Sequence, residues 1–472
     1  MTTISTAFDV TSEFVGADFG DRRLSARLVR LGQELVKGPD RSLPKVLANR
    51  SQLEAAYRFF SHDRVQSDNI LEPHFEQTRD RIEQAQLALV LHDTTQLVFD
   101  GDRQGLGRLH GAGSAGFLFH CSLAVTIDRR PLGVMASRTW VRRKPPRRKT
   151  RNGHRRSGFQ YGKLHDKESA RWGEQIEQCE QRIEGRAQLI HIADREADAY
   201  QLLRELQGRR FVIRARNDRC IQDEDDEATL LSQACQSPGA LIEFAVPVTK
   251  RVASPAPATA KAHPPREERI ARVQVHATTV TLRRPPQVAE RDAVEVNVVY
   301  AHEVDAPADV EPLQWVLYTS ERIDTVQAVL AVVEYYRTRW VIEQYFKALK
   351  SGCEIQKLQL ESYQSLTNAL AVYVPIAWAI LLLRTLARAQ PDAPAHRVLS
   401  STQIAVLQAL GRFRLSPAPT AHQVMMAVAQ LGGHVQHAKP PGYIVLARGM
   451  QDLLMLERGW LAAKQGKDVM DA

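Results

Sequence analysis

Paired cysteines are missing from this chain. Its five cysteines (Cys121, Cys179, Cys220, Cys235 and Cys353) are scattered, and none forms a C-x-x-C pair. Neither a zinc knuckle nor a disulfide framework is suggested, and a reducing, intracellular setting is expected. Near the start stand Asp9, Glu13 and Asp18 rather than a basic-then-apolar leader pattern. Long apolar runs are also missing. The longest uncharged one, Ala369 to Leu383, has 15 residues and contains Pro375. A spanning helix needs roughly 20, so this stretch reads as a buried helix and no membrane partner is expected. Acids are absent from 142 to 156, where nine residues are Lys or Arg. Outside that block the remaining 54 basic residues balance the 54 acidic ones, so the net charge of +9 is local. Such a block either attracts a polyanion by counterion release or is a solvated loop; on its own it fits both.

At roughly 100–200 residues per domain, 472 residues imply two to four domains. Residues 1–70 read as helical. Leu24, Leu28, Leu31 and Leu35 recur at helical spacing, and Arg23, Arg27 and Arg30 recur on another face, with Arg22 beside them. That pattern suits a DNA backbone, or equally an ordinary solvated helix face. The run Leu87 to Leu91 predicts a central strand ending at Asp93. Strands follow over 117–127 and 131–141, then the basic loop, a helix over 167–183, and a strand over 188–193 ending at Asp194. Residues 208–320 are β-rich, interrupted by a Pro- and Ala-rich loop over 253–265. A long helix is predicted over 324–351 with Asp324 as its N-cap, and the remainder is mostly helical.

Asp93 and Asp194 thus leave two strands, and Glu343 stands on the long helix. Neighbouring strands lie about 4.8 Å apart, so carboxylates at adjacent strand ends can share metal ions. Two Mg²⁺ ions can activate water or a 3′-hydroxyl and stabilise a leaving oxygen. On the helix, Tyr336, Arg339, Glu343, Lys347 and Lys350 follow at steps of three, four, four and three, and so share a face. One acid among cations and a phenol suits a metal ligand flanked by phosphate clamps; paired charges on a surface helix would give the same spacing. The alternatives for the two aspartates are a turn cap at Asp93 and an ion pair of Asp194 with Arg195.

The residues then match a family. Asp93-Thr94-Thr95, the stretch Ala193 to Asp198, and Tyr336-x-x-Arg339-x-x-x-Glu343-x-x-x-x-x-x-Lys350 resemble the three motifs of the DDE transposases of insertion sequences. Within them the chain is most similar to the insertion-sequence-four group that includes the Tn-five transposase. Gly20 to Arg23, Ala56 to Phe59, Lys167 to Trp172 and Leu431 to Gly433 add to the resemblance, which runs from about 15 to 464. It implies an α/β fold: an RNase H-like core, a mixed sheet flanked by helices, with a β-rich insertion over 208–320 and helical N- and C-terminal domains. The implied domains are 1–70 for binding the DNA end, 71–365 for catalysis and 366–472 for dimerisation. The resemblance also implies cut-and-paste transposition through a DNA hairpin. Asp93, Asp194 and Glu343 would be the catalytic metal ligands for two Mg²⁺, with Mn²⁺ able to substitute. DNA contacts are expected at Arg22, Arg23, Arg27, Arg210, Trp315, Tyr336, Arg339, Lys347 and Lys350. Double-stranded DNA and a second copy of the chain are the expected partners, and a bacterial cytoplasm, at the nucleoid when bound, the expected location.

Other classes fit less well. A phosphatase with an Asp nucleophile would want a second Asp where Thr95 stands. A glycosidase could use two carboxylates, but the cationic helix face suits phosphate better. A catalytically inactive relative, acting as an inhibitor or a domesticated protein, would typically have lost one of the three acids or a terminus.

Overall fold

The computed structural model describes residues 10–47, 49–109, 115–142, 170–222, 228–235, 242–248, 250, 266–285, 293–308, 310–435 and 440–470. In chain order the helices are α1 (Arg22–Leu35), α2 (Leu43–Val46), α3 (Arg50–Phe60), α4 (Ser67–Ala85), α5 (Ala170–Ile183), α6 (Tyr200–Glu205) and α7 (Leu231–Ala234). Then come α8 (Val326–Thr338), α9 (Trp340–Lys347), α10 (Tyr363–Ala389), α11 (Ser401–Ala409), α12 (Ala421–Leu431) and α13 (Tyr443–Met470). The strands are β1 (Leu87–Phe99), β2 (Gly107–Arg108), β3 (Ala115–Val125), β4 (Pro131–Trp140), β5 (Gln188–Ala193) and β6 (Phe211–Arg214). They continue with β7 (Cys220–Gln222), β8 (Ala228–Leu230), β9 (Ile242–Val248), β10 (Arg269–Leu282), β11 (Val294–Val304) and β12 (Gln314–Thr319).

The chain forms two compact units. One comprises residues 1–85, 94–143 and 341–472, and the other 86–93 and 144–340. In the second unit, the first half of β1 pairs in parallel with β5, and β5 in parallel with β6. Ala88 to Leu91 are all buried, the signature of a strand covered on both faces. β12 then pairs antiparallel with β6, β11 with β12 and β10 with β11, while β9 and β7 add to β10. Two expectations change here. The strand expected at the start of the β-rich region, β6, belongs to the parallel core. The region beyond it is an antiparallel extension of the same sheet, joined through β12. Trp172 and Ile176 of α5, Tyr200, Leu202 and Leu203 of α6, and Val294, Val296, Val298 and Tyr318 of the strands make one buried cluster.

In the first unit, β3 pairs antiparallel with β4 and β2 with β3. Helix α10 is its core. The expected buried helix is found, 27 residues long and apolar enough to cross a membrane, yet Ala369 to Leu383 are buried in the fold. α12 and α13 pack backbone to backbone. A Cβ on Gly449 would lie 1.7 Å from the Val428 carbonyl oxygen, and one on Gly432 1.9 Å from that of Val445. Glycine is the residue that permits such an approach.

The N-terminal segment is pinned to this unit by a buried polar cluster. Glu13 accepts from His74 Nδ1 at 2.5 Å and pairs with Arg81. His74 Nε2 accepts the Val134 N–H at 3.0 Å, so this ring is neutral with its proton on Nδ1. Arg81 also stacks 4.2 Å from the Trp378 ring centre. Burial alone would raise the Glu13 pKa, but His74 and Arg81 outweigh it and hold the carboxyl below its usual range. Burial lowers the His74 pKa.

Candidate nucleic-acid cleavage site

The register between β1 and β5 ends at His92 opposite Ala193. Asp93 and Asp194 are the next residues on these two adjacent strands. Asp194 leaves β5 as expected and caps a 3-10 turn, Arg195–Ala197, its Oδ1 accepting the Glu196 N–H at 2.8 Å. Asp93 differs from expectation: β1 does not end there. Thr94 to Phe99 continue it, with alternating burial and a β-branched, apolar composition suited to a pleated strand. Asp93 therefore stands at the end of the parallel pairing, within a longer strand.

Arg339 donates from Nη1 to Asp93 Oδ2 at 3.1 Å, both side chains being largely buried. The residue expected to clamp phosphate thus also neutralises an acid of the pair. One step back along the same strands, His92 Nε2 and His191 Nδ1 lie 2.9 Å apart, and His191 Nε2 is 2.9 Å from Glu180 Oε1. Sequence reasoning missed this chain. Its signal was a histidine inside each of two otherwise apolar strands, where a buried polar ring demands a partner.

Trp315 starts β12 as expected. It is half-buried, and its ring centre lies 6.2 Å from that of buried Tyr336 on α8. The expected single helix over 324–351 is divided. Thr325, not Asp324, is the N-cap and accepts the Ala328 N–H, while Asp324 holds Arg322. α8 stops at Thr338, whose hydroxyl bonds back to the Glu334 carbonyl at 3.0 Å, a contact that bends helices. α9 restarts at Trp340 and gives way to a π-helical turn at Ala348–Gly352. Tyr336 and Arg339 precede the break, Glu343 and Lys347 follow it, and Lys350 lies in the π turn. The common face expected of all five is interrupted. Val341 begins the other compact unit, so Glu343 belongs to that unit and the two aspartates do not. There Glu343 occupies the first turn of α9, half-buried. The next residue, Gln344, accepts from Arg384 at 2.7 Å and from the Tyr443 hydroxyl at 2.9 Å, which anchors α9 to α10 and α13.

Arg210 corrects a further expectation. Its guanidinium is engaged by Glu321 through both nitrogens and by Gln188, so it ties strand ends together rather than standing ready for DNA. Of the N-terminal arginines, Arg22 and Arg23 are exposed and Arg27 half-buried on α1. Arg23 folds back onto Asp21, the N-cap. The basic block 142–156, apart from Arg142, and the loop 253–265 lie outside the described residues.

The donor chemistry of Asp93 and Asp194, carboxylate oxygens at adjacent strand positions, fits a hard divalent cation. Among the described residues, no three His, Cys, Asp or Glu side chains stand together as a finished metal cage.

Comparison with known families gives the class. Residues 157–379 match the transposase DDE domain, and residues 9–65 match the transposase DNA-binding domain. The first match takes in Asp194 and Glu343 and begins after Asp93; the second takes in Arg22, Arg23 and Arg27. The two domains support a DNA transposase of the DDE type, with DNA as its partner. The mixed sheet flanked by helices is consistent with the RNase H-like core of a DDE domain. DDE transposases generally use divalent metal ions.

Proposed function

We propose that the protein is a cut-and-paste DNA transposase of the insertion-sequence-four, Tn-five-like group, working in the bacterial cytoplasm. Asp93, Asp194 and Glu343 would hold two Mg²⁺ ions, with Mn²⁺ able to substitute. The observation that carries this reading is the placement of Asp93 and Asp194 directly beyond the last paired residues of adjacent parallel strands. When bound, such ions activate water or a 3′-hydroxyl and stabilise the leaving oxygen.

The chain's own residues position the rest. The Glu196 N–H fixes one oxygen of Asp194. Arg339 balances the charge of Asp93 and, with Tyr336 and Lys350, grips the phosphate beside the scissile bond. Gln344, held by two donors, sets the roll of the helix carrying Glu343. Cleavage proceeds by nicking, hairpin formation and hairpin opening, followed by strand transfer from a homodimer holding two ends.

The test is single-turnover cleavage of a duplex carrying the element's end. Asp194→Asn should retain binding and fold while losing about a thousandfold in rate, roughly 4 kcal/mol of transition-state stabilisation. Cleavage by the variant near the wild-type rate overturns the assignment. Binding without cleavage by the wild-type chain in Mg²⁺ and Mn²⁺ would make it a DNA-binding relative only.

A further inference from the structure

The first unit contains a cleft of about 1120 Å³ far along the chain from the proposed catalytic acids, walled by residues 40–45, 353–359, 431–433 and 448–452. Its lining is polar in an ordered way. Asp40 and Gln451 are buried, at 6% and 3% exposure. Asp40 Oδ2 takes the Arg448 guanidinium at 2.8 Å. Among the described residues, Asp40 Oδ1 and Gln451 Oε1 have no hydrogen-bond partner although both are sealed from bulk solvent. Two buried acceptors without a donor are costly, and they call for N–H or O–H groups. Arg41, Lys45 and Lys357 line the same cleft and are exposed, Lys357 holding Glu354 at 2.7 Å. Acceptors are therefore buried and cations exposed.

Three ligand classes can be weighed against this layout. A hard cation wants six or more oxygens, whereas the buried groups offer one carboxylate already neutralised by arginine and one amide. A polyamine would meet three exposed cations. A molecule with an amino-bearing head and an anionic tail meets both requirements. An exocyclic amino group carries two N–H bonds and can serve both oxygens, while a phosphate suits Arg41 and Lys45. We propose that this cleft binds a nucleotide whose base carries an exocyclic amino group, either free or as an unpaired nucleotide of DNA. Thymine has no such group and leaves at least one acceptor unmet. Because Arg41 and Lys45 lie within the DNA-binding match, and Cys353 to Gln359 follow the helix of Glu343, a bound nucleotide would touch both segments.

The test titrates the full-length protein by calorimetry with dAMP, dCMP, dTMP and inorganic phosphate. dAMP and dCMP should bind at least about tenfold more tightly than dTMP or phosphate, the factor expected for one unmet buried acceptor. Gln451→Leu should reduce that preference to near unity, while the exposed double variant Arg41→Ala/Lys45→Ala should weaken all four ligands by a similar factor. A duplex with a single unpaired 3′ adenine, compared with one ending in thymine, distinguishes the sources. Displacement of dAMP by the adenine overhang alone assigns the cleft to DNA; preferential dAMP binding without displacement assigns it to a free nucleotide. Equal affinity for dAMP and dTMP, or no saturation by about 1 mM of any of them, overturns the proposal and leaves water as the occupant. If Gln451→Leu fails to fold, the wild-type dAMP to dTMP ratio decides alone.

Discussion

Trp315 combines two properties that a core tryptophan does not: it is half-buried, and its neighbour is a tyrosine of the helix that leads to the proposed active site. A tight DNA hairpin forces a base out of the stack, and stacking an extruded base on an aromatic ring contributes about 1–3 kcal/mol. Trp315→Ala should leave first-strand nicking close to wild type and slow hairpin formation by roughly 10-fold or more. An abasic nucleotide next to the cleavage site should partly restore the rate. Equal loss of both steps, measured by gel-resolved time courses, would make Trp315 a structural residue. Arg22, Arg23 and Arg27 carry a separate expectation. Each phosphate contact removed by alanine should lower the salt slope of DNA binding by about one unit. An unchanged slope in the triple variant would remove them from the interface.

At the scale of elements, the Glu13–His74–Arg81 cluster joins the 3-10 turn Val10–Phe14 to α4 and to β4. Its pH dependence follows from the two depressed pKa values. Below the ordinary His value of 6.5 the unfolded chain takes up a proton that folded His74 refuses. Stability from this group is therefore present above pH 6.5 and lost as pH falls. Glu13 acts in the same direction lower down: its contribution is present above its ordinary value of 4.5 and lost as pH falls through the depressed one. Urea midpoints should drop between pH 7 and 5, and His74→Gln should flatten that slope while lowering stability at pH 7. Glu13→Ala, which strands Arg81 in the interior, should cost about 3–5 kcal/mol. Gly449→Ala should be destabilising through overpacking, by roughly 1–3 kcal/mol, because the new methyl meets a backbone carbonyl that cannot swing away.

Elements also mark the limit of what the sequence discloses. Strands β1 and β5 were legible because short apolar runs ended in acids, and α10 because nothing but a buried helix suits 15 uncharged residues with an internal proline. The continuation of β1 past Asp93 was hidden by the polar residues Thr94 to Gln96, whose β-branched pair favours strand as much as turn. The break between α8 and α9 rests on one Thr338 hydroxyl bond, which periodicity cannot reveal. The engagement of Arg210 by Glu321 joins residues 111 apart in sequence, and so could be seen only once β6 and β12 were paired.

For the whole molecule, the chain passes between its two compact units four times, at 85/86, 93/94, 143/144 and 340/341. Neither unit is a contiguous piece, so truncation is a poor probe of the proposed dimer: removing the chain from residue 370 would delete most of α10, the core of the first unit. The apolar run once expected to reach a second copy is spent inside the fold. What remains exposed is on α13, where Met455, Leu456 and Leu461 are 56%, 37% and 44% exposed. These three, rather than α10, are the side chains from which a two-fold contact can be built, and two-fold symmetry makes each serve twice. Met455→Glu/Leu456→Glu/Leu461→Glu should melt within a few degrees of the wild type, since exposed positions tolerate substitution. It should still bind one transposon end. On native gels containing DNA it should lose the paired-end complex and, with it, double-strand cleavage, while single-end nicking persists. Paired-end complexes at wild-type yield would place the dimer contact elsewhere.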